Sequence, residues 1–197
     1  MLRGISDCSI YTVYWHNRPL FLSFSPLVDC RHIATFAHDK PVNNMQKITT
    51  FLTFNNQAEE AALLYTSIFN NSTINHISRY GDSGPGEPGS AMSVTFQLDG
   101  QPFYALNGGP HFSFTDGISL FITCETQAEI DHFWERLSAD GEKGQCGWLK
   151  DKFGVSWQVV PSALGRLLGD KDPAKAKRAM AAMMKMTKLD IAALEQA

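Results

Sequence analysis

Phe51-Leu-Thr-Phe-Asn-Asn-Gln-Ala-Glu59 lines up without a gap on Phe121-Ile-Thr-Cys-Glu-Thr-Gln-Ala-Glu129, 70 positions later, with five of nine residues identical. Each copy opens as a strand. In the first, Ile48, Thr50, Leu52 and Phe54 fall on one face and Thr49, Phe51 and Thr53 on the other, the two-residue period of a half-buried strand. A helix pattern follows directly: Asn56 is a candidate cap with Glu59 three residues on, and Ala58, Ala61, Ala62, Tyr65, Ile68 and Phe69 recur at helical spacing. In the second copy Thr126 takes the cap and Glu129 its reciprocal place, Ile130, Phe133, Trp134 and Leu137 form the apolar face, and Asp140-Gly141 ends the helix. A strand, a cap and a helix repeating in register predict a duplicated strand-helix-strands unit.

Downstream of the first helix the chain offers a strand at Thr73 to Tyr80, a Gly/Pro-rich loop from Gly81 to Ser90, and alternating runs Ala91 to Leu98 and Gln101 to Leu106. Asp99-Gly100 joins those runs with the residues of a tight hairpin. After Pro161 a tail begins, and Asp172-Pro173 reads as a cap with proline at the first helical position. In that helix Ala176, Ala179, Met180, Met183 and Met184 share one side, expected to pack on the sheet or on a second subunit, and Lys175, Lys177, Arg178 and Lys185 share the other. Thr187 to Ala197 predicts one further short helix. Residues 1–44 read differently, with half the histidines (His16, His32, His38), no glutamate and no sustained period. They lack the unbroken apolar stretch and small-residue cleavage site of a signal peptide. The expectation is a non-domain extension ahead of a functional start at Met45.

Composition narrows the function. The chain has 197 residues, 44% hydrophobic and 19% charged, a balance that packs a core. A net charge of -3 gives no electrostatic reason to expect nucleic acid or an anionic membrane as partner. The longest apolar stretch, Pro19 to Val28, is broken by Ser23, Ser25 and Pro26 and is too short to span a bilayer. Cys8, Cys30, Cys124 and Cys146 form no CxxC pair, which argues against a zinc knuckle or redox dithiol and for free thiols in a reducing cytoplasm.

The pattern resembles the vicinal oxygen chelate superfamily, the glyoxalase and bleomycin-resistance fold, and more closely its PhnB-like branch, the 3-demethylubiquinone-9 3-methyltransferase-like family. The stretches that carry the likeness are Ile48 to Ala61, Leu106 to Pro110, Ile118 to Cys124, Cys146 to Pro161 and the tail from Asp172 to Leu194. The resemblance implies an α+β fold of paired βαβββ modules, residues 45–110 and 117–161, whose curled mixed sheets surround a pocket, with C-terminal helices from 162 to 197 packed on them. A homodimer is implied in the same way.

Metal-dependent members of the superfamily take ligands from the starts of both first strands and from late strands, which the resemblance maps onto Thr49, Ser119, Gln158 and the stretch Tyr104 to Asn107. Hydroxyls and amides do not make a divalent site, so the expectation is no metal and no cofactor. The family's methyltransferase description meets no GxGxG turn: the cluster Gly81-Asp-Ser-Gly-Pro-Gly precedes a strand and reads as a flexible loop. Phe51, Tyr104 and Phe121 could share a concave face with Thr49, Ser119 and Gln158, an apolar cup with a few polar handles. Alternation places them on one face and leaves open whether that face is a hollow or ordinary core. Trp148 is a candidate rim residue; Asn107 either closes a turn or orients a ligand; His111 is either a solvated loop residue or a proton donor and acceptor. The leading expectation is a metal-free pocket for a small aromatic or amphipathic metabolite, with or without catalysis. The alternatives are methylation of a quinone precursor, metal-dependent lyase or dioxygenase chemistry, and a purely structural role.

Overall fold

In the computed structural model, which describes residues 47–83 and 86–197, the repeated stretch folds twice into one arrangement. The N-terminal segment, the start at Met45, Cys8 and Cys30, and the glycine loop at residues 84–85 lie outside the described residues. The first unit runs β1 (Thr50–Phe54), α1 (Ala58–Ile68), β2 (Thr73–Arg79), β3 (Ala91–Leu98) and β4 (Gln101–Asn107), and its sheet has the order β1-β4-β3-β2. The second runs β5 (Leu120–Cys124), α2 (Gln127–Leu137), β6 (Glu142–Lys143), β7 (Trp148–Lys150) and β8 (Ser156–Pro161), ordered β5-β8-β7-β6. In both, the first strand pairs in parallel with the last and the other pairs are antiparallel. Phe51 stands beside Tyr104 as Phe121 stands beside Gln158. This is the α+β architecture of paired βαβββ units, but the sheets are two separate four-stranded layers and do not close into one barrel.

The two layers share one core. Leu52, Phe54, Val94, Phe96, Phe103 and Ala105 of the first sheet pack in the same buried cluster as Ile122, Cys124, Leu149, Trp157 and Val159 of the second, with α1 and α2 contributing Tyr65 and Trp134. Phe69 stacks on Trp157 at 5.6 Å between centroids and lies 4.9 Å from Phe133, so the helix-bearing sides face a common interior. The strand residues of opposite parity are therefore left outside. Phe51, Tyr104 and Phe121 are 57%, 44% and 58% exposed.

Local chemistry explains several element ends. Asp99 and Gly100 take φ of 47° and 77°, the double left-handed turn a two-residue hairpin needs. Thr126 accepts from the Glu129 amide while the Glu129 carboxylate accepts from the Thr126 amide, closing the expected capping box on α2. The first copy departs from its repeat. The N-cap of α1 is Gln57, not Asn56, and it makes no side-chain cap. Glu59 is drawn away to Arg79 in a two-pronged ion pair, and the Ala58 amide donates instead to Asn107 Oδ1 at 2.8 Å.

The tail folds as α3 (Leu164–Leu168), α4 (Pro173–Met183) and α5 (Ile191–Glu195). Asp172 caps α4 as expected, its carboxylate accepting from the Ala174 amide. The methionine side is less buried than the helical spacing suggests: Ala179 is covered and Met183 packs against a small cluster of Val160, Leu189 and Leu194, but Met180 and Met184 are 43% and 61% exposed. The tail is tied to the second sheet by backbone bonds from Cys146 to Met186 and from Gly147 to Thr187. The approach is close at Gly147, where φ is +85° and a Cβ would sit 2.6 Å from the Val159 carbonyl oxygen.

Candidate ligand-binding site on the open sheet faces

The outward strand positions hold most of the residues singled out from the sequence, and the structure gathers them into two groups. On the first sheet, Phe51 stacks on Tyr104 at 6.0 Å and 17°, and Thr95 and His76 continue the same cross-strand row. Thr49 lies just ahead of β1, half-buried. On the second sheet Gln158 is flanked by Phe121 and Trp148, and its Nε2 donates to Ser119 Oγ at 2.7 Å. Because the sheets meet through their helix-bearing sides, one chain does not bring these groups together into the single cup that the sequence suggests.

Two further residues stand apart. Asn107 spends its side chain on the fold, accepting from Ala58 and donating from Nδ2 to the Ala91 carbonyl at 2.9 Å. His111 is exposed in the loop after β4 and lines none of the hollows described next.

Two hollows flank Trp148 on the second sheet. One, of about 470 Å³, lies between the sheet and the tail, with Phe121, Gln158 and Val160 as floor, Leu164, Leu168 and Met183 as roof, and Cys146 in its wall. The other, of about 480 Å³, is lined by Asp116, Glu142, Lys143, Lys150 and Ser156. Here Lys150 Nζ and Ser156 Oγ approach the same oxygen of Asp116, at 3.1 and 3.0 Å. Those two donors hold the Asp116 carboxyl below its usual range, the lysine contributing more. Lys150, Ser156 and Asp116 were absent from the sequence-derived set. Two of them had a signal: Lys150 is two residues from Trp148 and Ser156 two from Gln158, so strand alternation places each on the same face as its neighbour. Asp116 comes from a loop, where no period operates.

The other titratable groups serve the interior. Asp151 is buried and receives Tyr65, Trp157 and the amides of Phe153 and Val155. Burial pushes the Cys124 thiol up to about 12, with Glu129 and Glu125 adding to it, which makes it a poor nucleophile.

Among the described residues no three His, Cys, Asp or Glu side chains converge as a metal site. At two of the positions to which the sequence resemblance maps metal ligands, Ser119 and Gln158 are hydrogen-bonded to each other, and a hydroxyl and an amide are weak donors for a divalent ion. These residues do not fit a divalent metal.

The model of the family described as 3-demethylubiquinone-9 3-methyltransferase matches residues 46–160. The chain belongs to this family. A PhnB protein from Bacillus cereus is 44% identical over 59% of this chain and 100% of its own, with a TM-score of 0.57. Protein PA1353 from Pseudomonas aeruginosa shares the fold at 21% identity and a TM-score of 0.52, over 59% of this chain and 97% of its own. The fosfomycin resistance protein FosX from Listeria monocytogenes aligns at 15% identity and a TM-score of 0.40, over 57% and 86% of the two chains. No curated protein matches. No helix of the described residues is long and apolar enough to cross a membrane.

Proposed function

We propose that this PhnB-like chain binds a small aromatic or amphipathic metabolite on its open sheet faces, without a metal or cofactor, in a pocket closed by a second copy of the chain. One observation carries the reading. The duplication repeats an outward phenylalanine on each sheet, Phe51 and Phe121, 57% and 58% exposed, and an isoleucine just ahead of each first strand, Ile48 and Ile118, 84% and 81% exposed. β1 and β5 are both outer strands of their four-stranded sheets. Two apolar faces that end, among the described residues, in two unpaired edges are what an interface between copies covers. The first sheet of one copy set against the second sheet of another brings Phe51 and Tyr104 opposite Phe121, Gln158 and Trp148, assembling the cup one chain leaves in halves. The unpaired Cys124 and Cys146 suit a reducing cytoplasm.

Native mass spectrometry of protein purified without added metal or chelator tests this directly. The expected species is a dimer with an organic adduct and no stoichiometric divalent metal. A monomer removes the shared cup, and a bound divalent ion removes the metal-free reading in favour of superfamily metal chemistry. The family's description supports a second reading, methyl transfer to a quinone precursor. Calorimetric titration with S-adenosylmethionine decides it: saturable binding establishes the methyl donor, and no heat of binding removes the reading.

A further inference from the structure

The polar hollow beside Trp148 is built from donors on two paired strands and an acceptor on a loop. Lys150 and Ser156 are directly opposed across the β7–β8 ladder, and both meet one oxygen of Asp116. Ser156 is only 2% exposed, whereas the Asp116 side chain is 66% exposed and hangs from the loop between β4 and β5. The pairing register therefore fixes the backbones that carry the donors, whereas the carboxylate is the more exposed member and comes from a loop. Asp116 shows what this pair of donors recognises: a carboxylate oxygen, held by one ammonium and one hydroxyl. With Asp116 swung aside, Lys150 and Lys143 face Glu142 alone, a surplus of one positive charge. On the other side of Trp148 lies the apolar lobe under α3 and α4.

We propose that the ligand is an amphipathic monoanion, its apolar body in the lobe floored by Phe121 and Gln158 and its acidic head on Lys150 and Ser156, with Asp116 as the internal carboxylate it displaces. The proposal rests on the pocket reading above and adds the charge class of the ligand and the residues that read it. Asp116 acts as a self-competitor: it satisfies Lys150 and Ser156 in the free protein and must yield for an anion to bind.

Two fluorescent probes with the same body separate the two claims: 8-anilinonaphthalene-1-sulfonate carries a fixed negative head, and N-phenyl-1-naphthylamine carries none. Titrated into the full-length protein, both should bind. Lys150→Met should weaken the sulfonate about tenfold, the scale of a charged hydrogen bond, and leave the neutral probe within about twofold; Lys150→Arg should restore the sulfonate. Asp116→Asn should strengthen the sulfonate. Adding Lys150→Met to Asp116→Asn should take that gain away, which shows that loss of the ammonium, not an unmasked aspartate, weakens the anion. If both probes bind and none of these variants separates them, the anion site is overturned while the pocket stands. If neither probe binds, the pocket reading falls and takes this inference with it.

Discussion

Asp151 sets two opposing effects against each other within one side chain. Burial raises its carboxyl pKa, and four hydrogen bonds, led by Tyr65 and Trp157, pull it down; burial prevails, and the pKa is raised from the usual 3.8. The native chain then holds this proton to higher pH than the unfolded chain does. Its contribution to stability, complete below the unfolded value, is lost as pH rises through the native one. Urea unfolding of the wild type and Asp151→Asn across a pH series should therefore show the wild type's advantage largest in acid and smaller at neutrality. An advantage that grows with pH would mean that the donors outweigh burial. Tyr65→Phe should cost about 1–3 kcal/mol, because it removes the 2.6 Å bond and leaves a buried carboxylate oxygen one donor short. The thiols offer a second test at this scale. With its pKa at about 12, the Cys124 thiol is ionised in roughly one molecule in 100,000 at pH 7. Iodoacetamide on native protein, followed by peptide mass mapping, should label the half-exposed Cys146 and spare Cys124 until the chain is unfolded.

The two equivalent helices start by different means, and the difference is measurable. Thr126→Ala removes a local capping box and should cost about 1 kcal/mol. Asn107→Ala removes both a cap on α1 and a clamp on β3 and should cost about twice that in the same urea titration; a smaller loss than at Thr126 would show that water replaces both bonds. Asn107 also marks where the sequence stopped being readable. Local pattern exposed β1, β5, the three long helices, the Asp99-Gly100 hairpin and the Asp172 cap, because each depends on neighbours a few residues apart. A cap reaching across 49 residues leaves no such trace, and the repeat wrongly suggested Asn56 because Glu59 has another partner in Arg79. The site divides in the same way. Phe51, Tyr104 and Phe121 follow from alternation and Gln158 from the family resemblance; Asp116 reaches Lys150 only through the folded loop. Alternation also could not show which face was hollow, and so placed on one cup residues that the shared core sends to two sheets.

That shared core governs the behaviour of the whole molecule. Tyr65 of the first unit bonds Asp151 of the second, and Phe69 packs on Phe133 and Trp157, so neither unit keeps its interior when the other opens. Tryptophan fluorescence and far-ultraviolet circular dichroism should report one coincident unfolding transition, not two. The uncovered faces add a second dependence. If copies bury Phe51 and Phe121 against each other, unfolding is coupled to dissociation, and the melting temperature rises with protein concentration by mass action. Phe121→Asp places a charge in the cup and outside the chain's own core, since that side chain is 58% exposed. It should abolish the concentration dependence and halve the mass seen by light scattering, while leaving the fold's circular dichroism in place. Phe51→Asp should do the same, because the duplication gives the two phenylalanines the same place in their sheets. Unequal effects would mean that the copies meet through one sheet only, and a melting temperature independent of concentration in the wild type would mean that the open faces serve the ligand alone.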